Sequence, residues 1–565
     1  MRTHLRHTTL SALALLPTLL LAQGQGSTPG GEYYIHGIFN PVIADVRKID
    51  IRPTAFDSIV PDRSLKYDLL PVRGDVPARV DSITPAKLNV VQPQQRLYKG
   101  YAKAGFGLYT TPLGELYYNQ TRSRKNTFGV HLKHMSSNGG IANSGPSDLS
   151  FNNVDGFYKH FLPRHEVGGR ITYDRRRVNY YGYDPANFEQ SLLDQVAREE
   201  DLKRVYNDIG FAARVKSLYR DSTKLAHAAG MEVHAFSNDA DSRETNVVLD
   251  ARVSKEDGSE TYSAGLVLDN LSYSGAATNG LAAFKQSGTL VGLTPEVSTR
   301  GDKYLVRVGA GMYVDALQKT TFHFFPKVDM SYSLFDDILV PYAGVDGARV
   351  RNSFRNLSRE NAWVTAAPTL ANSSRLYDIF GGMRGSLSSR MGFDVRASYS
   401  RTKDMPLFIT DVNTPLNNQF AVVYDRVDVL DLGGKLTYDA GDGIRATGGI
   451  NIYTYTTDGQ ADAWNLPPYA LALGGQWDIR HKLILKAEAQ FIGRRPAFSG
   501  VDSTGAVVAR DLDGFLDLYL GAEYRYNKRL SVFIDVSNLS ASKYERWYGQ
   551  RVQRGLVLGG ATFAF

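Results

Sequence analysis

The chain has 565 residues, a formal net charge of +7, no cysteine and a mean hydropathy of −0.28. Without cysteine there is no disulfide framework, no thiolate metal site and no lipid-modified cysteine anchor. The 65 Lys and Arg are interspersed with 58 Asp and Glu rather than gathered in a basic tract, so the charge points away from nucleic acid.

Arg2 and Arg6 precede a short apolar run that ends at Leu21 and Ala22. This reads as a cleavable secretory signal peptide over residues 1–22. The run is shorter than the about 20 apolar residues that a spanning helix needs, and no later segment reads as one. Export without a helical anchor leaves the periplasm, the outer membrane or the exterior. Residues 23–96 are punctuated by Pro41, Pro53, Pro61, Pro71, Pro77, Pro85 and Pro93. Proline removes ladder donors and breaks helices, so this stretch reads as an extended, irregular segment, periplasmic or lumenal.

From Leu97 to Phe565 the pattern changes to alternation. Tyr304, Val306, Val308, Ala310, Met312 and Val314 fall on one face of an extended segment, and Lys303, Arg307, Gly309, Gly311 and Asp315 on the other. Ile444–Ile452, Leu483–Phe491 and Leu516–Tyr524 repeat the pattern. The segments run about 11–16 residues, against about 5–6 for strands of ordinary soluble sheets. Abundant Gly (53 residues) and 11% aromatics fit a membrane barrel, whose strands show apolar groups to lipid and polar groups to the lumen.

Short polar turns are expected near 122–126, 163–166, 218–222, 256–259, 300–302, 336–337, 388–390, 439–442, 480–482 and 527–529. Longer connections are expected at 137–150, 183–204, 353–374, 404–419, 496–510 and 540–550, with tight ones at 110–113 and 317–320. Short and long sides alternate, as in barrels with short periplasmic turns and longer outer loops. The expected fold is all-β: a transmembrane antiparallel up-and-down barrel over 97–565 with about 22 strands. In the 183–204 connection, Leu192, Leu193 and Val196 have helical spacing and predict a small helix over the mouth. The 353–374 connection carries Trp363 and reads as a lid or docking surface.

The C-terminal stretch Leu516–Phe565 resembles the end of TonB-dependent receptor barrels. Asn538-Leu539, then Lys543-Tyr544, then a closing strand ending at Phe565 are the matching positions. Tyr98–Leu113 and Asp404–Phe408 are similar to Bacteroidota barrels grouped with those receptors. The resemblance implies that Phe563 and Phe565 form the assembly signal read by the outer-membrane assembly machinery. It also implies a globular plug ahead of the barrel, and residues 23–96 show none. Asp57-Ser58-Ile59-Val60 matches the TonB box, the short segment that pairs with TonB as an added strand, over four residues only. A barrel this wide then has a lumen that is open, filled by 23–96 and its loops, or closed by another protein.

No enzyme motif stands out. His131 and His134 point to opposite faces of a strand and cannot share a metal. His160 and His165 flank a turn at the rim. Arg300-Gly301-Asp302 falls on a short turn, with Gly301 expected to supply the turn conformation. The expected function is solute transport or pore formation in the bacterial outer membrane, without catalysis, cofactor or metal. Lys99, Lys103, Arg307, Arg445, Lys486 and Arg525 are the expected lumen-lining cations. The alternative is a scaffold barrel of a multiprotein outer-membrane complex. Expected partners are outer-membrane lipid and lipopolysaccharide, the assembly machinery, and TonB or a periplasmic or surface protein.

Overall fold

A computed structural model describes residues 97–120, 123–198, 202–219, 221, 223–277 and 282–565. The signal peptide, the 23–96 segment and Asp57, Ser58, Ile59 and Val60 lie outside the described residues. Alternation from Leu97 onward produces a single sheet of 22 antiparallel strands. The first strand, Gly100–Gly107, pairs with its successor Thr111–Gln120 and also with the last strand, Leu556–Ala564. The sheet is therefore a closed barrel, which leaves no edge of unpaired N–H and C=O groups to face lipid. Among the described residues no helix is long and apolar enough to cross a membrane.

Alternation sorts the two faces. Phe106, Ile171, Ile209, Val308, Phe324 and Ile379 are each more than half exposed. An apolar surface of this extent on a soluble protein would aggregate; around a barrel it is the lipid-facing band. All ten expected short turns lie at one end, the periplasmic one by the length rule, and the expected long connections lie at the other.

Strand length varies more than the sequence implies, from 8 residues in Gly100–Gly107 to 20 in Met391–Thr410 and in Phe420–Asp439. The connection expected from Asp404 starts later, because the strand runs on to Thr410 through a bulge between Thr402 and Met405. Asp404 has φ 55° there, the left-handed conformation that a short polar side chain tolerates. Three outer connections carry no mark in the sequence reading. They join Asn238 to Arg243, Gly275 to Phe284 and Thr457 to Tyr469. The first has a readable signal: the Asn238 side chain accepts from Ala240 N at 3.1 Å and Ser242 N at 2.9 Å, an Asx-type turn. Gly301 serves its turn differently from the expectation. It has no positive φ, but a Cβ there would come within 2.4 Å of the Tyr304 ring.

The closing seam is packed by one aromatic ring. Phe533 stands opposite Gly560, which stands opposite Gly105. A Cβ on Gly560 would meet Ala104 O at 2.1 Å and Phe533 at 2.8 Å. The ammonium of Lys103 sits 3.9 Å from the centre of the Phe533 ring, so the seam is covered on the lumen side. We predict that Gly560→Val prevents closure. The folded, heat-modifiable band on semi-native gels should fall sharply relative to wild type, whereas Gly258→Asn, in an open periplasmic turn, should leave it unchanged.

Candidate functional site

The functional candidate is the lumen, and its outer half is stopped by the chain's own loop, 351–372. The Ser353 hydroxyl caps the start of a short helix (Phe354–Glu360) by accepting from Asn356 N at 3.2 Å. Asn361 ends it, its N–H donating to Leu357 O and its side chain accepting from Trp363 N at 2.9 Å. The helix turns Phe354 and Leu357, both buried, to the wall. Phe354 packs against Phe236, Tyr273 and Tyr206 on the barrel wall, with ring centres 5.2, 5.5 and 6.2 Å away. Trp363 donates through Nε1 to Asn179 O at 2.9 Å and meets Tyr181 edge-on. Val364 bridges in parallel to Phe420, and the Tyr180 hydroxyl donates to Val364 O at 3.0 Å. These residues form one buried cluster with Leu370, Phe408 and Trp547.

Charge locks the same loop. Asp208 on the wall accepts from Arg355 Nε at 2.6 Å and Arg359 Nη2 at 2.8 Å, and its other oxygen pairs with His234 Nδ1 at 2.9 Å. Arg351 pairs with Asp269 at 3.3 Å, and Glu244 accepts from Phe354 N at 2.6 Å. A segment fastened by an aromatic core and a buried ion cluster is a stopper rather than a trailing loop.

Beside it, the 183–204 connection carries the expected helix, over Gln190–Arg198. Val196 is buried, and Leu192 and Leu193 pack with Leu416 and Tyr183. The expected 496–510 connection is a hairpin of Arg495–Val501 and Val507–Leu512. Trp363, read from sequence as part of a lid, lies in the stopper. The wall residues Asp208, His234 and Glu244 were not singled out by sequence. Their one signal was position: charged residues alternating in phase with lumen-facing neighbours.

Below the stopper the wall is charged and aromatic. Lys103 pairs with Asp535 at 3.4 Å, and the Tyr519 hydroxyl donates to Asp535 at 2.7 Å. His131 stacks on Tyr117 and meets Glu115 at 2.9 Å. His134 takes the other face, bonded to Asn152 at 2.7 Å. Lys486 stands opposite Gln476 and Gly521, and Arg307 opposite Ser298 and Asp329, each on the face away from the exposed apolar side chains. Arg445 and Arg525 sit near the periplasmic turns, paired with Asp439 at 3.1 Å and Asp478 at 3.6 Å. Lys99 lies just before the first strand and is exposed, its N–H donating to Phe565 O at 2.9 Å. The six cations therefore spread over the wall and its lower rim and do not converge. His165 meets His227 at 3.1 Å near the periplasmic turns, while His160 takes no part in that pair. No group of three metal-ligating side chains occurs among the described residues.

The C-terminal residues are tied into the seam. Phe565 O accepts from Lys99 N and Gly100 N, and the Phe563 and Phe565 rings lie 6.1 Å apart on the exposed face. Asn538, with φ 46°, sends Nδ2 to Ser542 O and Gln553 O, both at 2.9 Å, and so pins the last outer loop. Tyr544 stacks on Phe515 at 3.8 Å and donates to Asp517 at 2.8 Å.

No protein-family model and no curated protein matches the chain. Solved structures do. The FrpB iron transporter from Neisseria meningitidis aligns with a TM-score of 0.65 at 10% identity, over 84% of this chain and 82% of that one. The fold is that of the TonB-dependent outer-membrane receptors. The siderophore receptor PirA from Acinetobacter baumannii aligns at 0.64 and 11% identity, over 84% and 81%. FpvA from P. aeruginosa, bound to a heterologous pyoverdine, aligns at 0.62 and 10%, over 83% and 72%. These identities carry the likeness as one of fold. A barrel of this fold with this apolar band is a bacterial outer-membrane protein.

Two outcomes follow for the stopper. Asp208→Asn removes the negative charge shared by two guanidinium groups and should cost the seated loop about 3–5 kcal/mol, read as faster proteolytic cleavage within 351–372. Burial also pushes the Glu360 carboxyl up to about 7. An acid with a raised value favours the folded state at low pH. That stabilisation is complete below the ordinary value of about 4.3 and is lost as pH rises through about 7. Glu360→Gln should therefore protect the loop better than wild type at pH 8 and about equally well at pH 4, in the same cleavage assay.

Proposed function

We propose that this protein is an outer-membrane transport barrel of the receptor type whose lumen is stopped from the outside by its own loop, 351–372, rather than by a conventional N-terminal plug. The observation that carries the reading is the buried aromatic and ionic attachment of that loop to the wall. Below it, Lys103, Arg307 and Lys486, with the carboxylates among them, would line the solute path. Arg445, Arg525 and Lys99 would stand at its periplasmic exit.

In this reading residues 23–96 follow a cleaved signal peptide as a tether or gate. Phe563 and Phe565 serve the assembly machinery, and Asp57–Val60 is at most an accessory contact for TonB. Iron and siderophores belong to the matched proteins' descriptions. Uptake of such a solute by this chain is part of the proposal.

A scaffold role is the second reading, favoured by the same seal, because a stopped barrel can serve as an anchor. Conductance separates the two. Val350 and Ser373 are register partners across neighbouring strands, so a tight turn can replace the loop without disturbing the barrel. In planar bilayers the wild-type protein should be nearly closed, and the loop replacement should raise conductance at least about tenfold. A replacement that stays closed even when 23–96 are also deleted would leave the scaffold reading. A wild-type protein that conducts as freely as the replacement would remove the stopper from the account.

A further inference from the structure

Outside the lumen, the outward face of the wall carries a histidine pair that the solute path does not use. His165 opens the strand His165–Asn179, Ser217 ends Lys203–Ser217, and His227 lies at the start of Ala226–Asn238. His165 is the register partner of Ser217, whose hydroxyl accepts from His227 N at 2.9 Å. The three therefore stand in one row across adjacent strands. Val167 and Met231 lie further along the same faces as His165 and His227 and are exposed, which sets the row on the outward side, at the periplasmic turns.

Strands lie about 4.8 Å apart, so the two histidine backbones are separated by about 10 Å. Their imidazoles close the gap by meeting over the short Ser217 side chain. Nε2 of His165 is 3.1 Å from Nε2 of His227, with ring centres 5.2 Å apart and planes crossing at 49°. Tyr219 meets both rings edge-on, at 6.0 and 5.8 Å. Lys224, whose ammonium lies 5.9 Å from the Tyr219 ring centre, pairs with Asp221 at 4.0 Å, so its charge is offset there.

The protons can be placed. A carbonyl oxygen only accepts, so the 3.3 Å contact between His227 Nδ1 and Leu225 O puts a hydrogen on that nitrogen. In the neutral ring Nε2 of His227 is then a lone pair, and the hydrogen between the rings belongs to His165 Nε2. A backbone carbonyl that holds one ring N–H and leaves the other nitrogen free is the usual support behind a metal-bound histidine. The separation fits as well. Two imidazole nitrogens 3.1 Å apart, each about 2.0–2.1 Å from a common ion, subtend about 100° at it, close to the tetrahedral angle.

We propose that His165 and His227 bind a divalent transition-metal ion that favours imidazole, such as Zn²⁺ or Cu²⁺, between their Nε2 atoms, with water completing its shell. The ion takes the place of the hydrogen between the rings, which moves to Nδ1 of His165, so no net proton is released. Two strands that are not neighbours are thereby strapped at the periplasmic rim. The site lies outside the lumen and holds whether the barrel transports or anchors.

The test uses the untagged mature protein in detergent, titrated with Zn²⁺ by calorimetry, with Mg²⁺ as the hard-ion control. One Zn²⁺ per chain should bind saturably below about 1 mM and raise the unfolding temperature, and Mg²⁺ should not compete. His165→Gln and His227→Gln should each weaken Zn²⁺ binding at least about tenfold, whereas His160→Gln, on the neighbouring strand Leu149–Phe161, should not. A second readout needs no variant: Cu²⁺ bound to the wild-type protein should show two coupled imidazole nitrogens in its electron paramagnetic resonance spectrum. No saturable Zn²⁺ binding, a Cu²⁺ spectrum with fewer than two imidazole nitrogens, or undiminished binding by either variant would each overturn the proposal and leave a hydrogen-bonded pair only. An equal loss in His160→Gln would overturn it too, since the ligands would then be a different set.

Discussion

The pairing of Gly100–Gly107 with Leu556–Ala564 is the constraint from which the rest follows. In a bilayer no water is available to satisfy a free strand edge, so a sheet must close on itself. Closure at 22 strands then creates a second problem, a lumen too wide for wall side chains to fill. The chain answers the first with a glycine-lined seam covered by Phe533 and Lys103, and the second with a loop that carries its own small core. The two solutions use different physics. The seam is a matter of backbone hydrogen bonds and close approach, and the stopper is one of aromatic packing and paired charge.

That division explains how charge is distributed on the wall. In the outer half, carboxylates such as Asp208 and Asp269 are consumed by loop arginines. In the inner half, Lys103, Glu115 and Asp535 pair with one another or with neighbouring phenols and imidazole. Arg495 and Arg546 stand out because neither pattern satisfies them. Among the described residues, Arg495 donates to two backbone carbonyls, and Arg495 Nε and Arg546 Nη2 are buried without a partner. A net charge of +7 spread over the chain gives no hint of this pair, since only folding brings position 495 beside 546.

Much of the fold was legible from alternation. Period-two patterning such as Tyr304–Val314, together with the polar clusters between segments, located every short turn and the strand count, because lipid on one side enforces the pattern. Connections without a length or proline signal, such as Asn238 to Arg243, were lost, and the bulge at Asp404 disguised a continuing strand as a loop. The helix at Gln190–Arg198 was readable from Leu192, Leu193 and Val196. The helix at Phe354–Glu360 was not, since its seven residues owe their shape to the wall they pack against. The site was least legible for the same reason. Asp208, Glu244 and Asp269 become a socket only when the loop, more than 80 residues further along, folds back onto them.

The central claim is that the 351–372 loop is seated in the lumen and not lying on the cell surface. The chain has no cysteine, so single cysteines report cleanly. Ser358 is fully buried in the stopper, whereas Asp241 stands 88% exposed on an outer turn. With Ser358→Cys and Asp241→Cys made separately and a membrane-impermeant maleimide applied to intact cells, the account predicts prompt labelling at 241 and protection at 358 until the protein is denatured. Equal labelling at the two positions would contradict it.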